Sequence, residues 1–198
     1  SGAGPIKQGL GCSSQIWGGS GGPPAYVTLK LNRDGSAQAL SGTQDIGTGT
    51  YTIIAQAIAE VLEMPIDQIE VILGDTAACP YGPTSGGSQT APSISPAARD
   101  AAEQMKDKLI QGAAASMEVP MSDLVYSKGI ITSKNDSSMK MNVGEVVRQM
   151  REQVLVTNGT REPNPDEYSI HSFGVQFADV SVDTMTGRVT VNKVVAAH

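Results

Sequence analysis

The sequence contains no pattern of cysteines or histidines that would bind a metal ion or an iron–sulfur cluster. Its two cysteines, Cys12 and Cys79, form no C-x-x-C pair, and its two histidines, His171 and His198, are isolated. Zinc and iron–sulfur sites need clustered thiolates or imidazoles, so we assign no metal ligand to this chain. A disulfide between the two cysteines stays open, although we prefer to interpret them as unpaired, inert thiols. We expect His171 to be structural.

Long apolar runs and clusters of basic residues are also missing. No apolar stretch approaches the roughly 20 residues that a membrane-spanning helix needs, and no segment resembles a signal peptide. The net charge is −6, from 20 acidic and 14 basic residues, which argues against nucleic acid or anionic lipid as a partner. An anionic small molecule remains compatible, because backbone amides can bind it without lysine or arginine. We expect a cytoplasmic location, with the periplasm left open.

Glycine is plentiful, with 22 among 198 residues, and two glycine-rich loops stand out. They are residues 44–50 (QDIGTGT) and residues 83–90 (PTSGGSQT), and each leads into a helix-like stretch. Glycine lets a ligand approach the backbone, and a helix N-terminus offers free amides with a partial positive charge. Two such loops predict one elongated anionic ligand that both contact. The alternative, that both loops are ordinary strand-to-helix connections, stays open on spacing alone.

The first loop lies between a predicted hairpin and a predicted helix. Alternating apolar residues at 26–31 and 36–41 flank an Asp-Gly turn, which predicts a β-hairpin. After the loop, apolar residues recur at helical spacing, and either Thr48 or Thr50 is a candidate helix cap. A further strand is predicted at 69–73. The predicted order is therefore strand, glycine-rich loop, helix and strand.

The second loop precedes another predicted helix. Ser95 and Pro96 have the character of a helix cap and a first helical residue, and the helical pattern continues to about Gly112. Its apolar face is rich in alanine, which would let it pack closely on a sheet. The residues of this face are Ala98, Ala101, Ala102, Met105 and Leu109.

The rest of the chain mixes hairpins and helices without a regular βαβ alternation. We predict a hairpin at 124–132, a helix capped by Asn142, an exposed connection at 157–168 and paired strands within 173–195 that turn at an Asp-Thr-Met-Thr-Gly sequence. This mixture indicates an α+β fold, with hairpins and a mixed sheet packed against helices. We treat residues 1–198 as a single α+β portion. Because the chain lacks an initiator methionine and ends on an apolar strand, we expect it to be excised from a longer polypeptide.

A set of short motifs runs through most of the chain in a characteristic order. They are Trp17-Gly18-Gly19, Asp34-Gly35-Ser36, the loop at 44–50, Gly74-Asp75-Thr76, the stretch 84–90, Phe173-Gly174, residues 180–183 and residues 186–189. By these motifs the chain resembles the molybdenum-binding subunit of the xanthine dehydrogenase and aldehyde oxidase family. Its Asp-Ile-Gly-Thr-Gly-Thr loop is similar to that of the bacterial members, which usually carry a molybdopterin cytosine dinucleotide.

The resemblance implies part of a molybdenum hydroxylase that oxidises aldehydes or N-heterocycles with oxygen from water. It implies molybdenum on molybdopterin cytosine dinucleotide as cofactor, and partner domains or subunits that carry iron–sulfur clusters and FAD. The family's base glutamate has no counterpart here, so we assign no catalytic residue and expect the chain alone to be inactive. Position 48 departs from the family, where many members have glutamine. The implied cofactor-binding residues are Gly47, Thr48, Gly49 and Thr50 in the first loop and Thr84, Ser85, Gly86, Gly87, Ser88 and Gln89 in the second.

Two other classes of function stay open. The same loops could hold a nucleotide or phosphate without redox chemistry. A structural or hydrolytic domain is the second alternative, with a triad drawn from Ser88, His171 and Asp179. Nothing resembles a nucleophile elbow, however, and such a triad can be drawn in most chains of this size.

Overall fold

The computed structural model describes residues 4–19, 21–167 and 169–198, and these form two compact units. The described residues up to Gly19 and from Asp166 onward make the sheet unit, and those from Gly21 to Pro165 make the large unit. The single portion expected from the sequence therefore comprises two units. Among the described residues, no helix is both long and apolar enough to cross a membrane.

The described residues form ten strands and three α-helices, without regular alternation. The strands are β1 Ile6–Gly18, β2 Tyr26–Asn32, β3 Ala37–Ser41, β4 Ile69–Leu73, β5 Leu124–Ser127, β6 Ile130–Ser133, β7 Lys140–Asn142, β8 Val154–Thr160, β9 His171–Asp183 and β10 Val189–Ala197. The helices are α1 Thr50–Leu62, α2 Thr90–Met117 and α3 Val143–Gln149. The predicted α+β class is confirmed.

The sheet unit is a three-stranded antiparallel sheet in the order β1-β9-β10. The predicted pair of strands with its turn is present as β9 and β10, and the turn closes with Gly187 N donating to Asp183 O at 2.7 Å. We did not predict β1, which pairs with β9 from Ile6 opposite Asp183 to Gly18 opposite His171. Its glycines and serines have low strand propensity and interrupt any alternation, so only the pairing with β9 makes it a strand.

The large unit is built on a four-stranded mixed sheet in the order β4-β3-β2-β8. Strands β3 and β4 are parallel, and the other neighbours are antiparallel. Helix α1 connects the parallel pair, so the first glycine-rich loop follows the carboxyl end of β3. This end of a parallel strand pair is where ligands commonly bind in α/β units. A small separate sheet, β5-β6-β7, contains the predicted hairpin at 124–132.

Helix α2 packs its alanine-rich face on the four-stranded mixed sheet of the large unit, against β2 and β8. The predicted face is confirmed, since Ala98, Ala101, Ala102, Met105 and Leu109 are all fully buried. Contact with β8 is so close that a Cβ on Gly159 would lie 2.0 Å from Ala97 O. Large side chains from α2 would not fit there, which explains why alanine dominates the face.

The limits of α2 differ from the prediction. The helix begins at Thr90, before the predicted cap at Ser95 and Pro96, and it ends at Met117, after the predicted end at Gly112. Proline is tolerated in the first turn, so Pro92 does not delay the start. Pro96 lies inside the helix, and Arg161 Nε donates to Pro92 O at 3.0 Å, where the helical amide is missing.

The predicted connection at 157–168 is wrong over its first four residues, which belong to β8. The Asn158-Gly159 pair suggests a turn, but Gly159 is needed here for the close approach of α2. Thr157 is buried, and its hydroxyl donates to Ala101 O at 2.7 Å. The Asn158-Gly159 pair, which is typical of a turn, thus lies at a contact between helix α2 and the sheet.

Two other local predictions are confirmed. Asn142 caps α3 in a capping box, because its side chain accepts from Glu145 N at 2.9 Å and Glu145 Oε2 accepts from Asn142 N at 2.8 Å. Cys12 and Cys79 are unpaired. Capping and turn signals are local, which is why the sequence reveals them.

A cavity between two glycine-rich loops

The two glycine-rich loops lie side by side and are hydrogen-bonded to each other. Thr43 is buried, and its hydroxyl donates to Pro83 O at 2.9 Å. Ser85 N donates to Gln44 Oε1 at 3.1 Å, and the Ser85 hydroxyl donates to Gln44 O. A Cβ on Gly82 would lie 2.1 Å from Thr43 N, so only glycine permits this approach. The convergence of the loops, which the sequence only suggested, is part of the fold.

A cavity of about 310 Å³ opens between the loops and the first turns of α1 and α2. Ligand pockets commonly start at about this size. Both helices point their N-termini toward it. Its lining consists of Ile46, Thr48, Thr50, Ile53, Ser85, Gly86, Gly87, Ser88, Thr90 and Ala91.

Six of the ten predicted cofactor-binding residues line this cavity, and four do not. The four outside the lining are Gly47, Gly49, Thr84 and Gln89. Gln89 has a supporting role, since its Nε2 donates to Thr84 O at 2.9 Å and holds the second loop. We did not name Ile46, Ile53, Thr90 or Ala91 as site residues. The spacing of Thr50 and Ile53, three residues apart on one helix face, could have revealed part of this wall.

Gly86 has no reason within the chain itself to be glycine. Apart from its two chain neighbours, no described residue has a heavy atom within 4 Å of the position that a Cβ would take, and the φ of Gly86 is outside the left-handed region. Its neighbour Gly87 is different, because its φ of +60° disfavours any other residue. A side chain at Gly86 would project into open space beside the cavity. The residue therefore fits a site where a ligand lies against the backbone.

Asp45 organises the first loop. Its Oδ1 accepts from Gly47 N at 2.7 Å and Thr48 N at 3.0 Å, and its Oδ2 accepts from Tyr51 N at 3.4 Å. Desolvation raises the pKa of Asp45, but the hydrogen bonds from Gly47, Tyr51, Thr48 and Thr50 outweigh it and leave the pKa below its ordinary value. The amides of Gly47 and Thr48, which we expected from the sequence to bind a ligand, thus already donate to the Asp45 carboxylate.

Neither α1 nor α2 is capped by the side chain of its own cap residue. The cap residue of α1 is Gly49, so neither Thr48 nor Thr50 is the cap that we predicted. The cap residue of α2 is Gln89, whose side chain makes no capping bond. Neither first turn contains an acidic residue. The N-terminus of α2 therefore keeps the partial positive charge that favours an anionic group, whereas at α1 the Asp45 carboxylate already accepts from Tyr51 N in the first turn.

The hydrolytic triad is ruled out by strand geometry. His171 and Asp179 are eight residues apart on β9, which separates their Cα atoms by about 26 Å. Their side chains cannot hydrogen-bond over that distance. The hydroxyl of Ser85, in the same loop as Ser88, donates to a backbone carbonyl and accepts from Thr90 Oγ1 at 3.1 Å. Within the described ranges, no group of three or more His, Cys, Asp or Glu side chains could hold a metal ion.

A larger cavity of about 580 Å³ lies on the sheet unit. Its walls include Trp17, Phe173 and His171, and Trp17 and Phe173 are more than half exposed. None of the predicted binding residues lines it. We place the candidate site between the loops because the glycine surface and the N-terminus of α2 occur there together.

Comparison with known proteins identifies the family. Residues 1–198 match the model of the molybdopterin cofactor-binding domain. The chain belongs to this family. It is 27% identical over 186 residues to the xanthine dehydrogenase molybdenum-binding subunit of Escherichia coli O157:H7, covering 88% of this chain and 24% of that protein. It is 29% identical over 170 residues to the carbon monoxide dehydrogenase large chain of Hydrogenophaga pseudoflava, covering 83% of this chain and 21% of that one.

The fold is similar to that of a solved relative. A structure of reconstituted CO dehydrogenase from Oligotropha carboxidovorans superposes with a TM-score of 0.82 at 25% identity, covering 98% of this chain and 26% of that chain. The chain thus spans about a quarter of the length of the relatives it matches. The family resemblance predicted from the motifs is confirmed, and these relatives are subunits of molybdenum-dependent oxidoreductases.

Proposed function

We propose that this chain forms one wall of the cofactor site in a molybdenum hydroxylase that oxidises aldehydes or N-heterocycles with oxygen from water. The family match and the molybdenum-binding relatives support this proposal. The observation that carries it is the open surface at Gly86, for which the chain itself supplies no packing or backbone reason. When bound, the molybdenum cofactor supplies the redox chemistry, and the protein binds and orients it.

The pterin and its phosphates are proposed to lie in the cavity between the loops. The backbone at Gly86 and Gly87 would contact the pterin directly, since within the described part of the chain neither Cβ position meets an atom beyond the neighbouring residues. The lining contains no charged side chain among its described residues, so hydroxyl groups and the N-terminus of α2 would bind the phosphates. Thr48 Oγ1 and Thr50 Oγ1 lie 3.4 Å apart at the cavity and form one such pair.

Asp45 changes the expected role of the first loop. Because its carboxylate accepts from Gly47 N and Thr48 N, these amides would shape the loop and the Thr48 hydroxyl would make the contact. A phosphate placed directly on the two amides would also meet the charge of Asp45. We therefore propose that Gly47 and Gly49 set the path of the loop, and that Gly86 and Gly87 form the principal contact.

The cofactor is proposed to be the cytosine dinucleotide form, and iron–sulfur and FAD subunits or domains would carry electrons away. The test is analysis of the purified full-length protein. Acid hydrolysis should release CMP in a stoichiometric amount with molybdenum, and an aldehyde or N-heterocycle should reduce an electron-accepting dye. Release of AMP, GMP or no nucleotide would contradict the cytosine form. A bound nucleotide without molybdenum would instead indicate a binding module without redox activity.

A further inference from the structure

Helix α2 contains a break in its hydrogen bonding close to the cavity. Pro96 has no amide hydrogen, so the carbonyl of Pro92, four residues earlier, loses its helical partner. Arg161 Nε donates to that carbonyl at 3.0 Å. A side chain from another part of the chain thus replaces the hydrogen bond that the proline removes.

Arg161 is itself held by several partners. Its backbone amide donates to Ala25 O at 3.0 Å, and its guanidinium also donates to Glu162 O and to Asn164 Oδ1. Asn164 Nδ2 then donates to Gly21 O at 2.9 Å. We name Arg161, Asn164 and residues 21–22 the arginine clamp. These links fix the guanidinium in one orientation, because each uses a different donor.

The clamp encloses the first turn of α2. A Cβ on Gly21 would lie 2.4 Å from Pro92 Cβ, so Gly21 packs directly against the ring of Pro92. Gly22 N donates to the hydroxyl of Ser93 at 3.1 Å, and Ser93 is buried. Thr90 and Ala91, the two residues just before Pro92, line the cavity, whereas no clamp residue does.

We propose that Arg161 is a positioning residue for the cofactor cavity. It holds the first turn of α2 in place of the hydrogen bond that Pro96 removes, and so fixes the wall formed by Thr90 and Ala91. This inference rests on the proposed function, because it takes the cavity as the cofactor site. It assigns Arg161 no contact with the cofactor.

The test is a double-mutant cycle in the full-length protein. Arg161→Ala should lower pterin and molybdenum content about tenfold, since it leaves Pro92 O without a donor next to the wall formed by Thr90 and Ala91. Pro96→Ala restores an amide hydrogen at position 96, which can donate to Pro92 O. The double variant should therefore regain cofactor content to within about twofold of the wild type. Arg148→Ala is the matched control, because Arg148 Nη1 donates in the same way to Arg33 O at 2.6 Å, away from the cavity lining.

A second readout does not depend on the cofactor. Hydrogen exchange at the Ser93 and Ile94 amides should be at least about tenfold faster in Arg161→Ala and should return to the wild-type rate in the double variant. If the wild type contains no molybdopterin, the proposed function fails, while the exchange rates still test the clamp. If the single variant does not fold, folding of the double variant supports the proposal.

Three outcomes would overturn the inference. The first is a double variant whose cofactor content and exchange rates are the same as those of Arg161→Ala, or a double variant that fails to fold as the single variant does. The second is faster exchange in Arg161→Ala with unchanged cofactor content, which would give Arg161 a role in helix stability alone. The third is an equal loss of cofactor in the Arg148→Ala control.

Discussion

Replacement of Gly86 by alanine separates a ligand contact from a backbone requirement. The new methyl group meets no atom of the described residues beyond its chain neighbours, and the φ of this residue is outside the left-handed region. Alanine should therefore stabilise the fold by about 0.4–1 kcal/mol, because it restricts the unfolded chain. For a protein of this size, this corresponds to a rise in melting temperature of about 1–4 °C. Cofactor binding, in contrast, should become weaker.

The cost to the cofactor follows from packing. A methyl group forced into a filled site typically costs about 1–3 kcal/mol, and about 1.4 kcal/mol corresponds to tenfold in binding. We therefore expect Gly86→Ala in the full-length protein to lower cofactor occupancy or turnover by about fivefold or more. Gly129 provides the matched control, since it is equally open but has a φ of +70° in a hairpin turn that does not line the cavity.

The assay combines thermal unfolding with molybdenum and pterin quantification in both variants. Gly129→Ala should lower the melting temperature, because alanine in the left-handed region costs about 1–2 kcal/mol, and should keep its cofactor. Gly86→Ala should raise the melting temperature and lose cofactor. An unchanged enzyme in Gly86→Ala would remove this residue from the site. A fall in melting temperature that matches the loss of activity would favour a backbone role instead.

Three further predictions concern the first loop and the chain as a whole. Gly49→Val should yield a folded full-length protein with little cofactor, whereas Gly129→Val should keep it, and normal molybdenum content in the former would make the loop a plain connection. Because the folded-state pKa of Asp45 is below its ordinary 3.8, its stabilisation of the loop should be present above the unfolded-state pKa and lost as the pH falls through the folded-state pKa. In the wild type, hydrogen-exchange protection at the Gly47 and Thr48 amides should decline over that acidic range. In Asp45→Asn, protection of the same amides should already be weak at neutral pH. Wild-type protection that does not change with acid pH would contradict this. The 198-residue chain alone should bind no stoichiometric molybdenum and reduce no dye with an aldehyde or purine, and metal-dependent dye reduction by the pure chain would show a more complete site.

Features encoded by neighbouring residues were predictable from the sequence. The hairpin of β2 and β3, strand β4 and the buried face of α2 follow from apolar spacing, and the capping box at Asn142 follows from a short motif. The two glycine-rich loops were also visible as ligand-binding candidates. In each case, the residues that determine the structure are close in the sequence.

Features that depend on distant residues were not predictable in this way. Strand β1 forms only by pairing with β9. The early start of α2 coincides with the hydrogen bond from Arg161 Nε to Pro92 O. Gly159 is glycine because α2 contacts the backbone there, and not because the chain turns. The role of Asp45 depends on the exact path of the first loop. The molybdenum cofactor itself came from the family resemblance, because loops that suit any anion do not specify a metal.

The structure of the molybdenum-loaded full-length protein tests the central claim most directly. We predict that the pterin and its phosphates will occupy the cavity between the two glycine-rich loops, in van der Waals contact with the backbone of Gly86 and Gly87. The hydroxyl groups of Thr48 or Ser88 should lie within hydrogen-bond distance of the cofactor. A pterin bound elsewhere, with this cavity filled only by water, would contradict the account.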